Sequence, residues 1–362
     1  MASTASRPLA ALLTAVLVAA LLGLGAQAAV SAPALPEVAA DELIASVLRT
    51  AEDPPPVSGE LAATLGLGLP ELPGAAQDSP LADLLGESRL RVERSADGLR
   101  AALLGAASER VVVTDGDTLS TWDSQTLAVN RWTLPDELGT DGTGSGGTAP
   151  GHGPLAFSDP LALAIPLVES LSEGADVAVE GTARVAGRPA YRLAVVPADL
   201  VTTLGRVELD VDADTRVPLR VALYARGAVA PSIELAWTQV SFAPVDPALF
   251  DFTPPPGSVV TEHAAPVPWS KDSGKSGLPG MLNPGPAAGP SGGDHGGEVI
   301  GAGYSAVAVL PLATELPSEA QALLPLDGPL LSARVATVRG QSALLLGLVP
   351  LWRLDEVAAE LP

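Results

Sequence analysis

Four segments in the second half of the chain alternate between apolar and polar residues. These segments are 177–185, 206–212, 216–223 and 232–237. Because neighbouring side chains of a strand point to opposite faces, this pattern predicts an antiparallel sheet with one apolar and one polar face. A one-residue slip in pairing would turn every apolar side chain to water, so the register is strongly specified. The 37 Gly and 35 Pro residues also argue against a helical bundle.

The first half adds further strands and two helices. Helical spacing of apolar residues predicts helices over 41–52 and 160–173. Alternation and turn residues predict strands over 57–65, 88–95, 98–104, 109–114, 117–123 and 126–134. A sheet of about ten strands curls around what it covers. The fold class predicted is therefore α+β, a curved antiparallel sheet with helices on its concave face.

The N-terminus has the features of a targeting segment. Arg7 precedes an apolar run over 9–26, and Ala26-Gln27-Ala28 offers a small-x-small cleavage site. The run is marginal for a bilayer span, so residues 1–28 are interpreted as a cleaved signal peptide or a retained anchor. Either alternative places the remaining chain outside the cytoplasm. It would lie at the extracytoplasmic face of the cell membrane or envelope, or be secreted if the signal is cleaved.

Composition divides the rest of the chain into a domain over 29–262, a linker over 263–298 and a small C-terminal α/β domain over 299–362. The linker is rich in Gly, Ser and Pro, which cannot bury enough surface to fold. In the tail, strands are expected at 299–310, 332–338 and 342–349, and helices at 318–324 and 351–361. Whether this tail docks on the first domain stays open.

Charge and residue usage exclude several classes of function. The net charge is −22, which argues against a nucleic-acid partner and against docking to an anionic membrane. The absence of Cys removes disulfides, thiol catalysis, Cys-ligated zinc and a lipidated N-terminal Cys. The run 210–214 imitates the start of a calcium loop, but its twelfth position is Val221 instead of Glu. No catalytic, cofactor or metal site is therefore predicted.

The apolar face of the predicted sheet is the candidate ligand site. Nine residues share one parity on neighbouring strands, and they are Val207, Leu209, Val211, Val217, Leu219, Val221, Leu223, Ile233 and Leu235. If the two helices cover this face fully, it is an ordinary core. If they cover it partly, an apolar gap of roughly 300 Å³ or more remains for an acyl chain.

A Leu-rich segment over 61–85 is a candidate lid. Its leucines are Leu61, Leu65, Leu67, Leu69, Leu72, Leu81, Leu84 and Leu85. An exposed loop with so many apolar side chains carries a cost, which a contact with cargo or a membrane would offset. The alternative is a loop folded back onto its own core.

Several segments resemble proteins of the LolA/RseB-like superfamily, and the first of them resembles a hairpin. They are 179–193, 206–214, 216–221 and 252–257, within a resemblance that covers roughly 38–262. Together these segments resemble actinobacterial proteins with an RseB-type N-terminal or lipoprotein-sorting-like domain, and the tail over 334–361 resembles their small C-terminal unit. This resemblance implies a half-barrel of antiparallel strands with helices as a lid.

The resemblance also implies a non-enzymatic role. Members of the superfamily chaperone lipoproteins, carry lipids, or sense mislocalised lipoproteins and restrain a sigma-factor pathway. The first hypothesis is thus an exported binding protein for lipid, acyl-chain or lipoprotein cargo. The second is an RseB-like regulatory protein that binds an anti-sigma factor or another membrane or exported protein. The third, an enzyme, requires a catalytic constellation that the sequence does not offer.

Overall fold

The computed structural model describes residues 32–66, 86–105, 108–133, 160–169, 174–263, 298–312, 321 and 324–361. Residues Leu35–Pro362 group into one compact unit. The predicted targeting segment 1–28 and nearly all of the predicted linker lie outside the described residues. The proposed division into domains therefore stays a prediction.

A sheet of twelve strands forms most of the described chain. Its order is β12-β6-β5-β4-β3-β2-β1-β11-β10-β9-β8-β7. The strands are β1 Val57–Leu65, β2 Gly86–Ser95, β3 Gly98–Leu104, β4 Glu109–Thr114, β5 Thr118–Asp123, β6 Ala128–Thr133, β7 Ala175–Val185, β8 Arg188–Pro197, β9 Leu204–Asp212, β10 Pro218–Ala225, β11 Ile233–Ser241 and β12 Val259–His263.

The prediction of a purely antiparallel sheet is wrong at one edge. β12 pairs with β6 in parallel, so the sheet is mixed. Between β11 and β12 the chain crosses the outer face, where Phe250 packs against Ala102, Val111 and Val113. This crossover lets β12 approach β6 in the same direction, as a parallel pair requires.

The sheet curls strongly. β7 and β11 lie four strand spacings apart in the sheet order, which would separate them by about 19 Å in a flat sheet. Cα atoms of these two strands nevertheless come within 8 Å of each other. The β7–β11 part of the sheet therefore wraps around the apolar side chains on its inner face.

Two helices lie against that inner face. α1 spans Ala40–Glu52, and it buries Leu43 and Val47, which are one helical turn apart. α2 spans Pro160–Glu169 and packs against β10 and α1. The last residues of the predicted helix 160–173 lie outside the described part of the chain.

A second sheet of five strands, in the order β13-β14-β17-β16-β15, joins the same core. Its strands are β13 Glu298–Ile300, β14 Val307–Pro311, β15 Leu326–Asp327, β16 Ser332–Val338 and β17 Gln341–Gly347, and α3 spans Leu351–Glu360. Buried Tyr304, Leu330 and Leu346 belong to the core that the large sheet contributes to.

The predicted strand 299–310 is wrong as a single element. It is two strands separated by a 3₁₀ turn at Gly303–Ser305. Gly301 and Gly303 have φ angles of 90° and 62°, in the left-handed region that favours glycine and breaks an extended strand. Except for Gln321 and Leu324, the predicted helix 318–324 lies outside the described residues.

Candidate functional site

Eight of the nine residues predicted to share one face belong to one apolar core, whereas Val217, just before β10, is buried outside that cluster. All nine side chains are buried, with at most 3% of their surface exposed. Strand pairing arranges most of them in two rows across the sheet. One row is Val207–Leu223–Ile233 and the other is Leu209–Val221–Leu235. The period-two pattern in the sequence therefore gives a continuous apolar surface.

Protein side chains cover this surface from two sides. Leu43 and Val47 of α1, together with Leu163 and Leu167 of α2, belong to the same apolar core. The second sheet contributes Leu346 of β17, and Leu330 in the loop before β16 joins the same core. Within the part of the chain that the structure describes, the face resembles a closed core instead of a partly covered one. Binding of cargo to the nine residues stays a prediction, and it requires a covering element to move.

The predicted lid divides into two groups. Leu61 and Leu65 are not lid residues, because they belong to β1 and point into the core, where both are buried. β1 is held between β2 and β11, so these side chains are fixed by the sheet. Leu67, Leu69, Leu72, Leu81, Leu84 and Leu85 lie outside the described residues.

The opposite face of the β7–β11 region carries a network of ion pairs. Asp210 of β9 is fully buried and accepts hydrogen bonds of 2.8 and 2.9 Å from Arg192 of β8. Arg220 of β10 donates to Glu208 at 3.0 Å and also to Glu234. The arginines therefore neutralise carboxylates that the sheet removes from water.

Asp212 shows how burial and hydrogen bonding compete in this network. Burial raises the pKa of Asp212, but hydrogen bonds from Arg188 and Thr215 lower it by more than burial raises it. The pKa of Asp212 is therefore below the ordinary value. The same balance of burial against Arg220 lowers the pKa of Glu208. The run 210–214 is thus a polar strand face that enters a turn, in which Asp212 accepts from the Thr215 N–H at 2.8 Å.

A pocket of about 510 Å³ opens at the end of this polar face. Arg206, Tyr224, Arg226 and Val229 are among its lining residues. The Tyr224 hydroxyl donates to Glu208 at 3.1 Å, and Arg226 donates to the carbonyl oxygens of two preceding loop residues. The sequence did not predict this pocket, because its residues come from the ends of β9 and β10 and from the loop after β10, which has no periodic pattern.

An aromatic pair lies at the β12 edge. The rings of Trp132 and His263 are stacked with centroids 4.7 Å apart, and His263 Nε2 lies 2.9 Å from Asn130 Oδ1. Composition predicts that the linker begins at residue 263, whereas the structure makes His263 the last residue of β12. The short run Val259–His263 is mostly exposed and gives no clear alternation, so its pairing could be seen only in the structure.

The described residues contain no group of three or more His, Asp or Glu side chains placed to hold a metal ion. No helix in those residues is long and apolar enough to cross a membrane.

No family model matches the chain, and no curated protein matches it. The chain is similar to several solved structures. MucB is 19% identical over 88% of this chain and 96% of that chain, with a TM-score of 0.42. MucB in complex with MucA(peri) is 21% identical over 88% of this chain and 97% of that chain, with a TM-score of 0.41. The Mycobacterium tuberculosis lipoprotein LppX is 13% identical over 56% of this chain and 97% of that chain, with a TM-score of 0.27.

A LolA superfamily protein from Nitrosomonas europaea is 10% identical over 59% of this chain and 98% of that chain, with a TM-score of 0.20.

Proposed function

We propose that this chain is an exported, non-enzymatic binding protein for an apolar cargo such as an acyl chain, a lipid or a lipoprotein. The observation that carries the proposal is the cover of the apolar face by α2. This short helix presents Leu161, Leu163 and Leu167 to the core, packed against β10. A helix that covers an apolar face with aliphatic side chains occupies a surface that an acyl chain could also cover.

The magnitudes allow an acyl chain to replace the helix. Burying three Leu side chains is worth about 5–9 kcal/mol, at about 1.5–3 kcal/mol each. An acyl chain of about 14 methylene groups gains about 11 kcal/mol at about 0.8 kcal/mol per group. Cargo therefore competes with α2 for the rows that contain Leu209, Val221 and Leu223. The cost of exposing α2 sets the affinity.

The test is binding of a fluorescent fatty acid to the full chain, with displacement by unlabelled lipid. Leu163→Ala weakens the packing of α2 by about 2–5 kcal/mol, so the apparent Kd should fall at least about tenfold. Leu219→Trp enlarges a side chain on the face itself and should weaken binding. Leu119→Ala is the matched control, because Leu119 is equally buried but lies in a separate cluster with Trp132.

A folded wild-type protein that binds no fatty acid would reject the cargo proposal. So would a Leu163→Ala variant that binds no better than the Leu119→Ala control. Circular dichroism on each variant establishes that the fold is retained before the affinities are compared.

A second candidate function is the binding of a protein partner, such as an anti-sigma factor or another exported protein. The observation that favours it is β12, an edge strand whose Val259 and Val260 are exposed. An edge strand offers unpaired backbone groups to an added strand. Native mass spectrometry of the purified complex, with Val260→Lys as the variant that should lose the partner, tests this candidate. Retention of the partner by Val260→Lys would reject the edge as its site.

A further inference from the structure

Three exposed apolar side chains lie in two loops and in the first turn of α3, and hydrogen bonds connect these segments. Val229, in the β10–β11 loop, is 96% exposed, and Leu200, in the β8–β9 loop, is 80% exposed. Trp352, in the first turn of α3, is 51% exposed. We call these three residues the tip surface. Single exposed apolar residues need no explanation, but three in segments that are hydrogen-bonded to one another do.

Hydrogen bonds tie the three segments together. Arg226 donates from its backbone to the Thr203 carbonyl at 2.8 Å and from its side chain to the Asp199 carbonyl at 3.0 Å. The Thr202 hydroxyl and the Thr203 N–H donate to the Leu348 carbonyl at 2.7 and 2.8 Å, just before α3. The tip surface is therefore held on an ordered frame.

The same bonds lower the cost of placing these loops in a low-dielectric layer. Carbonyl oxygens of residues 199, 202 and 203 accept hydrogen bonds from Arg226, so much of the loop backbone is satisfied within the protein. Unsatisfied backbone groups are what exclude most loops from lipid. The β10–β11 loop also presents mainly Gly, Ala, Val and Pro between Arg226 and Ser232.

The chemistry of the tip surface fits neutral lipid better than anionic lipid or a protein pocket. The acids near Trp352 are paired, Asp355 with Arg334 and Glu356 with Arg353, so the repulsion of anionic headgroups comes from the net charge of −22 of the whole chain. Val229 is almost fully exposed and projects into solvent as a single side chain, whereas protein interfaces bury a contiguous patch. Trp is the side chain enriched at the membrane–water boundary.

We propose that the tip surface inserts into the headgroup–acyl boundary of a zwitterionic lipid membrane. This is a membrane contact distinct from the N-terminal segment and from the apolar cargo face. It does not depend on cargo, and its test contains none. Failure of this proposal and failure of the cargo proposal can therefore be distinguished.

The absence of Cys allows a single environment-sensitive fluorophore to be placed at will. Leu200→Cys and Val229→Cys place it on the tip surface, and Leu249→Cys places it on an exposed apolar position of the outer face, as the matched control. With phosphatidylcholine vesicles, the two tip labels should shift to shorter wavelength while the Leu249 label stays unchanged. This comparison remains valid if residues 1–28 also bind the vesicles.

A second measurement uses the unlabelled full chain. The double variant Leu200→Asp with Val229→Asp should lower the vesicle partition coefficient at least about tenfold, whereas Leu249→Asp should not. Tip labels that respond no more than the control, or partition unchanged by the double variant, would overturn the proposal. Tip labels that ignore vesicles but respond to an added protein would also overturn it, in favour of a protein interface.

Discussion

Replacing Arg192 by Met should destabilise the protein more than any exposed ion pair can account for. Arg192 holds Asp210 through two hydrogen bonds of 2.8 and 2.9 Å, and the Asp210 side chain is buried. Met retains much of the aliphatic volume of Arg but donates no hydrogen bond. The substitution therefore leaves a buried carboxylate with its remaining contact to Arg220 at 3.5 Å.

The expected cost follows from that geometry. Breaking a fully buried ion pair costs about 3–5 kcal/mol, because the remaining charge is left without compensation. Arg192 is partly exposed, and water can reach the space that it leaves, so a loss of about 2–3 kcal/mol is expected. The pair Arg339–Glu298 has a similar distance of 2.8 Å but is exposed, so Arg339→Met should cost about 0–1 kcal/mol.

The assay is urea unfolding of each full-length variant, followed by tryptophan fluorescence. Adding Asp210→Asn to Arg192→Met removes the uncompensated charge and should recover part of the loss. An Arg192→Met loss no greater than that of Arg339→Met would refute the argument. A double variant no more stable than Arg192→Met would refute it as well.

Three further predictions concern acid stability, the core and export. The folded-state pKa values of Asp212 and Glu208 are lowered, so both carboxylates stabilise the folded protein above the ordinary pKa values of 3.8 and 4.5, and this contribution is lost as pH falls below them. A free energy of unfolding that stays constant from pH 6 to about pH 3 in urea titrations would contradict this. Leu219→Ala should cost about 2–5 kcal/mol in the same assay, whereas Leu249→Ala, at an exposed position, should cost well under 1 kcal/mol; equal losses would mean that the apolar face is not the core. If the targeting segment is cleaved, N-terminal sequencing of the mature protein should begin at Ala29, and a reporter fused after residue 60 that works only in the cytoplasm would refute export.

Local pattern was sufficient for most strands of the large sheet. The predicted strands 57–65, 98–104 and 109–114 have the same bounds in the structure, because alternating side chains and turn residues mark their ends. The shared face of Leu209, Val221 and Leu235 was likewise predictable, since period two fixes which side each residue takes.

Features that depend on distant parts of the chain could not be predicted. β12 is exposed on both faces, and its place is decided by pairing with β6, more than a hundred residues earlier. Whether α2 or a ligand covers the apolar face depends on packing. The alternation of apolar and polar residues along a strand does not determine it. Leu200 and Val229 lie in loops whose hydrophobic residues sequence reasoning treats as ordinary.

Hydrogen exchange of the α2 amides, with and without a bound fatty acid, tests the central proposal most directly. If cargo replaces the helix on the sheet, amides of residues 160–169 should exchange faster in the complex while those of β9 and β10 remain protected. Amides of α2 that are unchanged or more protected in the complex would contradict the proposal that cargo takes the place of this helix.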